Sequence, residues 1–164
     1  MTRTELRDAT HDDFATILAL NQVEENLTSP LDFERLELLD QLSSFHKVAT
    51  TNGKTTAFLI AMRENAPYQS DNYRWFSSRY AKFVYVDRIV VDATNAGLGI
   101  GGSLYTDLFN YARNSGIGTV TCEYNKEPLN LASQAFHRKF GFREVGTQWI
   151  ADRSKLLSMQ AAGT

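Results

Sequence analysis

Residues 83–102 read FVYVDRIVVDATNAGLGIGG and join an apolar run to a glycine-rich turn. Phe83–Val91 is rich in β-branched and aromatic residues, which predicts a strand. After the turn, Ile100, Leu104 and Leu108 recur on one face of a predicted helix. A turn that opens a helix presents backbone N–H groups beside the positive end of the helix dipole. The stretch therefore predicts a strand, a pyrophosphate-binding turn and a helix in succession.

The elements downstream of this stretch favour a parallel strand pair. Gly118–Glu123 is the next strand pattern, and two strands joined by one helix run parallel with a right-handed crossover. Asn130 can cap a last helix over Leu131–Phe140. Two closing strands, predicted to be antiparallel, cover Arg143–Ile150 and Lys155–Met159.

The first half of the chain indicates antiparallel structure. A strand pattern and a helix pattern come first, and Ser29-Pro30 predicts the start of a second helix that runs to about Leu42. Lys47–Thr51 and Lys54–Met62 then flank Asn52-Gly53, the strongest short signal for a β-hairpin. With the downstream elements, this order predicts a mixed α/β fold.

Residues 63–80 contain Pro67 and show little apolar periodicity. Disordered linkers are poor in aromatic residues, whereas this segment has many, so we expect it to be ordered. Two alternatives stay open: a segment that caps the core, and a lid over a substrate pocket. Its aromatic residues are Tyr68, Tyr73, Trp75, Phe76 and Tyr80.

The length and composition describe an ordinary globular chain. With 164 residues, of which 43% are apolar and 22% charged, we expect one domain over residues 1–164. The 17 basic and 19 acidic side chains nearly balance, which argues against a dedicated nucleic-acid binder. The longest apolar run, Ala57–Met62, is far shorter than the ~20 residues of a membrane span, so no membrane partner is expected.

The sequence also argues against several other kinds of site. Cys122 is the only cysteine, so an intramolecular disulfide is excluded and a reducing, cytoplasmic location is expected. The three histidines and this cysteine show no metal-ligand spacing, so no metal is expected. No nucleophile-elbow or P-loop motif occurs.

One interpretation of the turn is a dinucleotide-binding domain. Gly97, Gly99 and Gly102 match G-x-G-x-x-G, and Glu123 ends the next strand, where a ribose-binding acid would lie. Against this, Asp92–Ala96 separate the strand from the glycines, and too little chain follows Glu123 for the rest of a doubly wound sheet. This interpretation stays open as the weaker one.

The other interpretation rests on two separated motifs, and through them Val84–Phe142 resembles the GNAT acetyltransferase superfamily. The family has a strand, then Q/R-x-x-G-x-G/A opening a helix, then a strand and an Asn-x-x-Ala/Ser motif followed by Gly-Phe. Val91 ends the strand here, and Gly99 and Gly101 hold the turn positions. The second motif is matched by Asn130, Ser133, Gly141 and Phe142.

The resemblance implies a fold and an activity. The fold is α/β, with a largely antiparallel central sheet that splays at one parallel strand pair and is flanked by helices. The activity is transfer of an acetyl group from acetyl-CoA, as co-substrate, to a primary amine on a small molecule or a peptide. The resemblance does not identify the acceptor, and a homodimer stays open as an assembly.

The resemblance also implies the coenzyme-binding residues. The backbone of the strand end would hold the pantetheine arm and the acyl carbonyl, and the turn would hold the pyrophosphate. The strand residues are Ile89, Val90 and Val91; the turn residues are Ala96, Gly97, Leu98, Gly99, Ile100, Gly101, Gly102 and Ser103; the second motif adds Asn130 and Ser133.

Two positions depart from the family pattern. Ala96 stands where the family has Arg or Gln, and His137 stands where it has Tyr. Counting 100° per residue along the last helix places His137 about 150° from the apolar face, so we expect it outside the core. The apolar face would consist of Leu131, Ala132, Ala135, Phe136 and Phe140.

The resemblance gives His137 and Asp87 candidate catalytic roles. His137 is either a solvated side chain or the general acid for the departing thiolate, with Tyr124 as a second candidate acid. Asp87 shares a strand face with Ile89 and Val91 and is either the base or an ion-pair partner of Arg88.

Two further interpretations concern the acceptor and the class of protein. Glu24 and Glu25 lie in a segment that borders the acceptor pocket in similar proteins, although a solvated helix end explains them as well. The departures at Ala96 and His137 also keep a non-catalytic acyl-CoA-binding or sensing domain open. Such a domain would bind coenzyme A and release no free thiol with any amine.

Overall fold

The computed structural model describes residues 2–24 and 28–164. Seven strands form one sheet in the order β1-β2-β3-β4-β5-β7-β6. The strands are β1 (Thr4–Asp8), β2 (Phe45–Thr51), β3 (Lys54–Arg63), β4 (Val84–Val91), β5 (Thr119–Glu127), β6 (Arg143–Trp149) and β7 (Leu156–Gly163).

The described residues also form five α-helices, which lie between strands along the chain. They are α1 (Phe14–Val23), α2 (Phe33–Leu42), α3 (Asp71–Ser77), α4 (Ile100–Asn114) and α5 (Leu131–Arg138). In the part of the chain that the structure describes, no helix is both long and apolar enough to cross a membrane.

The strand directions confirm the predicted fold class. β1 with β2, β2 with β3, β5 with β7 and β6 with β7 all pair antiparallel. β4 pairs with β5 in parallel over only two positions, Val84 with Val120 and Tyr85 with Thr121. Both strands continue well beyond this short pairing, as expected for a sheet that splays at its parallel pair. The mixed sheet also excludes the doubly wound dinucleotide-binding alternative.

The chain divides into two compact units. The first contains the chain up to Met62 together with Val86–Leu108, and the second contains Arg63–Tyr85 together with Phe109–Thr164. The expectation of one domain over residues 1–164 stays a prediction.

In the first unit, the hairpin is confirmed and the start of the second helix is corrected. Asn52 and Gly53 have φ of 52° and 83°, the left-handed pair that a two-residue hairpin turn requires. The prediction that α2 begins at Ser29-Pro30 is wrong, because Asp32 is its N-cap and accepts from the backbone N–H of Arg35 at 2.7 Å. The Ser29 hydroxyl instead binds a guanidinium.

In the second unit, the aromatic segment packs into the core. Tyr68, Tyr73 and Phe76 are buried, and the Tyr73 hydroxyl donates to the carbonyl of Arg63 at 2.6 Å. The segment folds as α3 because Ser70 caps it, accepting from the N–H of Tyr73. For these three aromatic side chains, the core-capping alternative is confirmed.

Candidate active site

The predicted pyrophosphate turn lies between a short 3₁₀ turn and α4 in the first unit. Residues 96–99 are exposed or half-exposed, and Gly97 and Gly99 have φ of 83° and 74°. A Cβ built on either glycine meets nothing within 4 Å, so space is open above the turn. The Gly99 carbonyl is occupied by the Ser103 N–H at 2.9 Å and the Ser103 hydroxyl at 3.0 Å.

This arrangement fits an anion. The first N–H groups of α4 have no acceptor inside the helix, and the exposed turn leaves room for phosphate oxygens in front of them. Ala96 adds no side-chain donor, whereas the family's Arg or Gln would. The N–H groups of Ala96 and Ser103 and the Ser103 hydroxyl already donate to backbone carbonyls. The donors that the turn itself can offer to an anion are therefore the backbone N–H groups between these two residues.

The strand before the turn has the predicted two-residue alternation. Taken as whole residues, Asp87, Ile89 and Val91 are half-buried and Arg88 and Val90 are buried, although the side chain of Asp87 is itself buried. Asp87 thus shares a face with Ile89 and Val91, as predicted.

The ion-pair alternative for Asp87 is confirmed. Arg88 Nε donates to Asp87 Oδ2 at 2.7 Å, and the side chains of Arg88 and Asp87 are only 3% and 5% exposed. Whether Asp87 also acts as a base stays a prediction. Glu24, which was expected to border the acceptor pocket, is the C-cap residue of α1, and Glu25 lies outside the described residues.

The second motif forms the N-terminus of α5 in the second unit. Asn130 caps the helix, because its Oδ1 accepts from the N–H of Ser133 at 3.1 Å. Gly141 follows the helix with φ of 83°, the left-handed conformation of a C′ glycine. Capping of the two ends of α5 therefore accounts for Asn130 and Gly141. A role for these residues in binding the coenzyme stays a prediction.

The expectation that His137 lies outside the core is wrong. His137 is 5% exposed, whereas Leu131, on the predicted apolar face, is 67% exposed. Aromatic residues outside α5 pack against the helix and so determine which of its faces is buried. The His137 ring lies 5.6 Å from the ring of Tyr124 and 5.3 Å from that of Phe142.

The hydrogen bonds of His137 define its tautomer. Its Nδ1 lies 2.7 Å from the carbonyl oxygen of Ser133, which can only accept, so Nδ1 carries the proton. Burial lowers the pKa of His137 below its usual 6.5, and the hydrogen bond to Ser133 opposes this shift in part. At neutral pH the ring is therefore mainly uncharged, which disfavours an imidazolium acid.

Tyr124 is the other candidate proton donor in this unit. It is half-buried on β5, and burial raises the pKa of its phenol, an effect that interaction with Ser158 reduces. Its hydroxyl therefore stays protonated at neutral pH. Ser158 is itself held in place, because its hydroxyl donates to Glu144 at 2.7 Å and accepts from Gln160 at 2.6 Å.

Glu123, the ribose-binding acid of the dinucleotide-binding interpretation, is held by hydrogen bonds in the second unit. Glu123 Oε1 accepts from the Tyr85 hydroxyl at 2.8 Å and from the amide of Asn72 at 3.0 Å. The Asn72 oxygen in turn accepts from Gln148 at 2.9 Å. No local sequence signal joins this cluster, because the partners of Glu123 lie far from it along the chain.

The structure therefore arranges the predicted residues in two groups. In the first unit, Asp87 to Val91 continue into the turn of residues 96–103. In the second unit, Asn130, Ser133 and His137 lie together at α5, with Tyr124 against His137.

Comparison with known proteins gives one family and many similar folds. The model of the acetyltransferase (GNAT) family matches residues 8–142. Among curated proteins, none matches the chain.

Three similar solved structures cover nearly the whole chain. The ribosomal-protein-S18-alanine N-acetyltransferase of Escherichia coli is 17% identical, with 98% of this chain and 94% of that chain covered and a TM-score of 0.74. Ard1 of Thermoplasma volcanium is 15% identical, with 98% and 97% covered and a TM-score of 0.79. Naa50 of Arabidopsis thaliana, in complex with the bisubstrate analogue CoA-Ac-MVNAL, is 16% identical, with 98% and 99% covered and a TM-score of 0.76. At these identities the likeness shows the fold.

Proposed function

Because this chain belongs to the GNAT acetyltransferase family, we propose that it transfers an acetyl group from acetyl-CoA to a primary amine. The observation that carries the proposal is the exposed turn at the head of α4, with Gly97 and Gly99 in left-handed conformations. A peptide N-terminus is the first acceptor class to test, because the similar Naa50 structure contains a CoA–peptide bisubstrate analogue. A small-molecule amine is the second.

In the proposed reaction the amine nitrogen attacks the thioester carbonyl, the carbon–sulfur bond breaks, and an amide and a free thiol form. The amine must lose a proton and the departing sulfur must gain one. The backbone of Ile89, Val90 and Val91 is proposed to hold the acyl carbonyl and the pantetheine arm. The turn of residues 96–103 is proposed to bind the pyrophosphate.

Two side chains of the second unit are candidates for the proton that the thiolate takes. The lowered pKa of His137 leaves little imidazolium at neutral pH, whereas the raised pKa of Tyr124 keeps its phenol protonated. We therefore favour Tyr124 as the donor. His137 as the general acid stays a prediction, and the same kinetic comparison tests both.

Asp87 is the proposed acceptor of the amine proton, directly or through water. Its ion pair with Arg88 means that removing its charge also disturbs a buried pair. Asp87→Asn keeps an oxygen that can accept from Arg88 Nε and removes the carboxylate. If Asp87 is the base, kcat should fall even at temperatures well below the lowered melting temperature of the variant, where the protein is still folded.

The experiment that tests the function is release of free thiol from acetyl-CoA. The purified protein is mixed with a panel of peptides and small amines, and acetylated products are identified by mass. The proposal expects release that depends on both acetyl-CoA and an amine. Tight coenzyme binding with no release from any amine would instead support the sensing-domain alternative.

A further inference from the structure

Arg88 is a buried guanidinium to which the proposed reaction gives no part. Its Nη1 donates to Asn21 Oδ1 and to the Ser29 carbonyl, both at 3.0 Å. Its Nη2 donates to the Ser29 hydroxyl at 2.8 Å, and its Nε donates to Asp87. One side chain of β4 therefore binds both Asn21, in the last turn of α1, and Ser29, which precedes α2.

The two contacted residues are also bound to each other. Asn21 is 1% exposed in the last turn of α1, and its amide donates to the Ser29 carbonyl at 3.0 Å. Its Oδ1 accepts from the Thr28 hydroxyl at 3.3 Å as well as from Arg88. The end of α1 and the approach to α2 are thus fixed around the same guanidinium.

These contacts support the wall of a groove. A cavity of about 790 Å³ lies along α1 and the start of α2, and Asn21 and Ser29 both line it. Leu18, Leu31 and Arg35 are among its other lining residues, whereas Arg88 is not. Arg88 therefore affects the groove indirectly, through its hydrogen bonds to Asn21 and Ser29 in the wall.

The chemistry explains why this position holds arginine. A guanidinium offers five N–H donors in a planar fork, so that one group can bind a carboxylate, an amide oxygen, a hydroxyl and a carbonyl together. An ammonium is a compact group with three donors and cannot span the same set. Lysine would keep the charge beside Asp87 and lose the contacts to the connection.

We propose that this groove receives the amine acceptor, because the guanidinium that binds its wall also binds Asp87, the proposed acceptor of the amine proton. Arg88 is then a positioning residue that fixes Asn21 and Ser29 in the wall without contacting either substrate. This inference rests on the proposed transferase function. It predicts that Arg88 sets the affinity for the amine acceptor, while affinity for acetyl-CoA is set elsewhere.

The test is Arg88→Lys, with steady-state kinetics for both substrates. We expect the acceptor KM to rise at least about fivefold, with acetyl-CoA affinity and kcat at saturating acceptor within about threefold of wild type. Ser29→Ala should raise the same KM, and the double variant should be no worse than Arg88→Lys alone, because the two residues act together. An unchanged acceptor KM, or equal changes for both substrates that follow the melting temperature, would overturn the proposal.

Arg7→Lys is the matched control in the same unit. Arg7 binds the buried Asp13 through two contacts of 2.8 Å and touches none of the groove residues named here. Arg7→Lys also removes guanidinium hydrogen bonds to a buried partner, as Arg88→Lys does, and should leave the acceptor KM unchanged.

Hydrogen exchange separates this proposal from the proposed function. Peptides that contain Asn21 and Ser29 should exchange faster in Arg88→Lys than in wild type, and peptides from the turn of residues 96–103 should not. If wild type releases no thiol with any amine, the proposed function fails, and the exchange result still decides whether Arg88 holds the connection. Unchanged exchange at Asn21 and Ser29 would contradict the positioning role.

Discussion

The hydroxyl of Tyr124 and the imidazole of His137 are neighbours with opposite pKa shifts, so substitutions can separate their roles. Tyr124→Phe keeps the ring and removes the donor, and a lost general acid lowers kcat by roughly 10²–10⁴-fold. His137→Phe keeps aromatic packing and should lower kcat much less. Steady-state kcat with acetyl-CoA measures both.

Two controls sharpen this comparison. An acyl donor with a more acidic thiol needs less protonation, so it should restore much of the rate of Tyr124→Phe. Tyr80→Phe removes a hydroxyl from another half-buried tyrosine of the second unit and should leave kcat unchanged. If His137→Phe shows the large loss and Tyr124→Phe does not, His137 is the acid.

The pKa of His137 also predicts how stability depends on pH. Because the folded state lowers this pKa below 6.5, the unfolded chain binds a proton at mildly acidic pH that the folded chain does not. The free energy of unfolding should therefore fall as pH drops below about 6.5. Urea titrations at pH 7.5 and 5.0 should show a larger loss for wild type than for His137→Phe. Equal losses would contradict the buried, uncharged state.

At the scale of elements, α3 and β6 meet closely at Gly146, where a larger residue would require the Trp75 ring to shift. A Cβ on Gly146 would lie 2.8 Å from Cη2 of Trp75 and closer still to Cζ2. Gly146→Ala should destabilise the protein by about 1–3 kcal/mol through overpacking, measured by chemical denaturation. Gly118→Ala is the matched control, because its Cβ meets nothing within 4 Å. A fully stable Gly146→Ala would contradict this packing.

Several elements could be predicted because their signals are local. The hairpin at Asn52-Gly53 needs two left-handed residues that the sequence names, and the strand of Phe83–Val91 is read from composition alone. The cap at Asn130 is likewise set by the residues next to it.

Other features could not be predicted because distant residues decide them. The face of α5 is set by ring contacts that include Tyr124 and Phe142, not by the helix's own apolar residues. Ser29 resembles a helix cap in sequence, yet its hydroxyl binds Arg88, 59 positions away. The carboxylate cluster at Glu123 likewise depends on partners that no local pattern joins to it.

At the scale of the whole molecule, family membership and the mixed sheet agree with the order of elements read from the sequence. What makes this family member distinctive lies in a few side chains. Ala96 gives the turn proposed for pyrophosphate no side-chain donor, and His137 is a buried, mainly uncharged ring where the family has tyrosine. Coenzyme binding is therefore predicted to depend on backbone geometry at the turn.

Calorimetric titration of acetyl-CoA into wild type, Gly99→Glu and Gly99→Ala tests this claim most directly. Both substitutions strain the same left-handed backbone, where φ is 74°, and only glutamate adds an anion to the space proposed for phosphate. We expect one-to-one binding to wild type, a moderate loss of affinity in Gly99→Ala and a further loss of at least about tenfold in Gly99→Glu. Equal affinities for the two variants, or no binding to wild type, would contradict it.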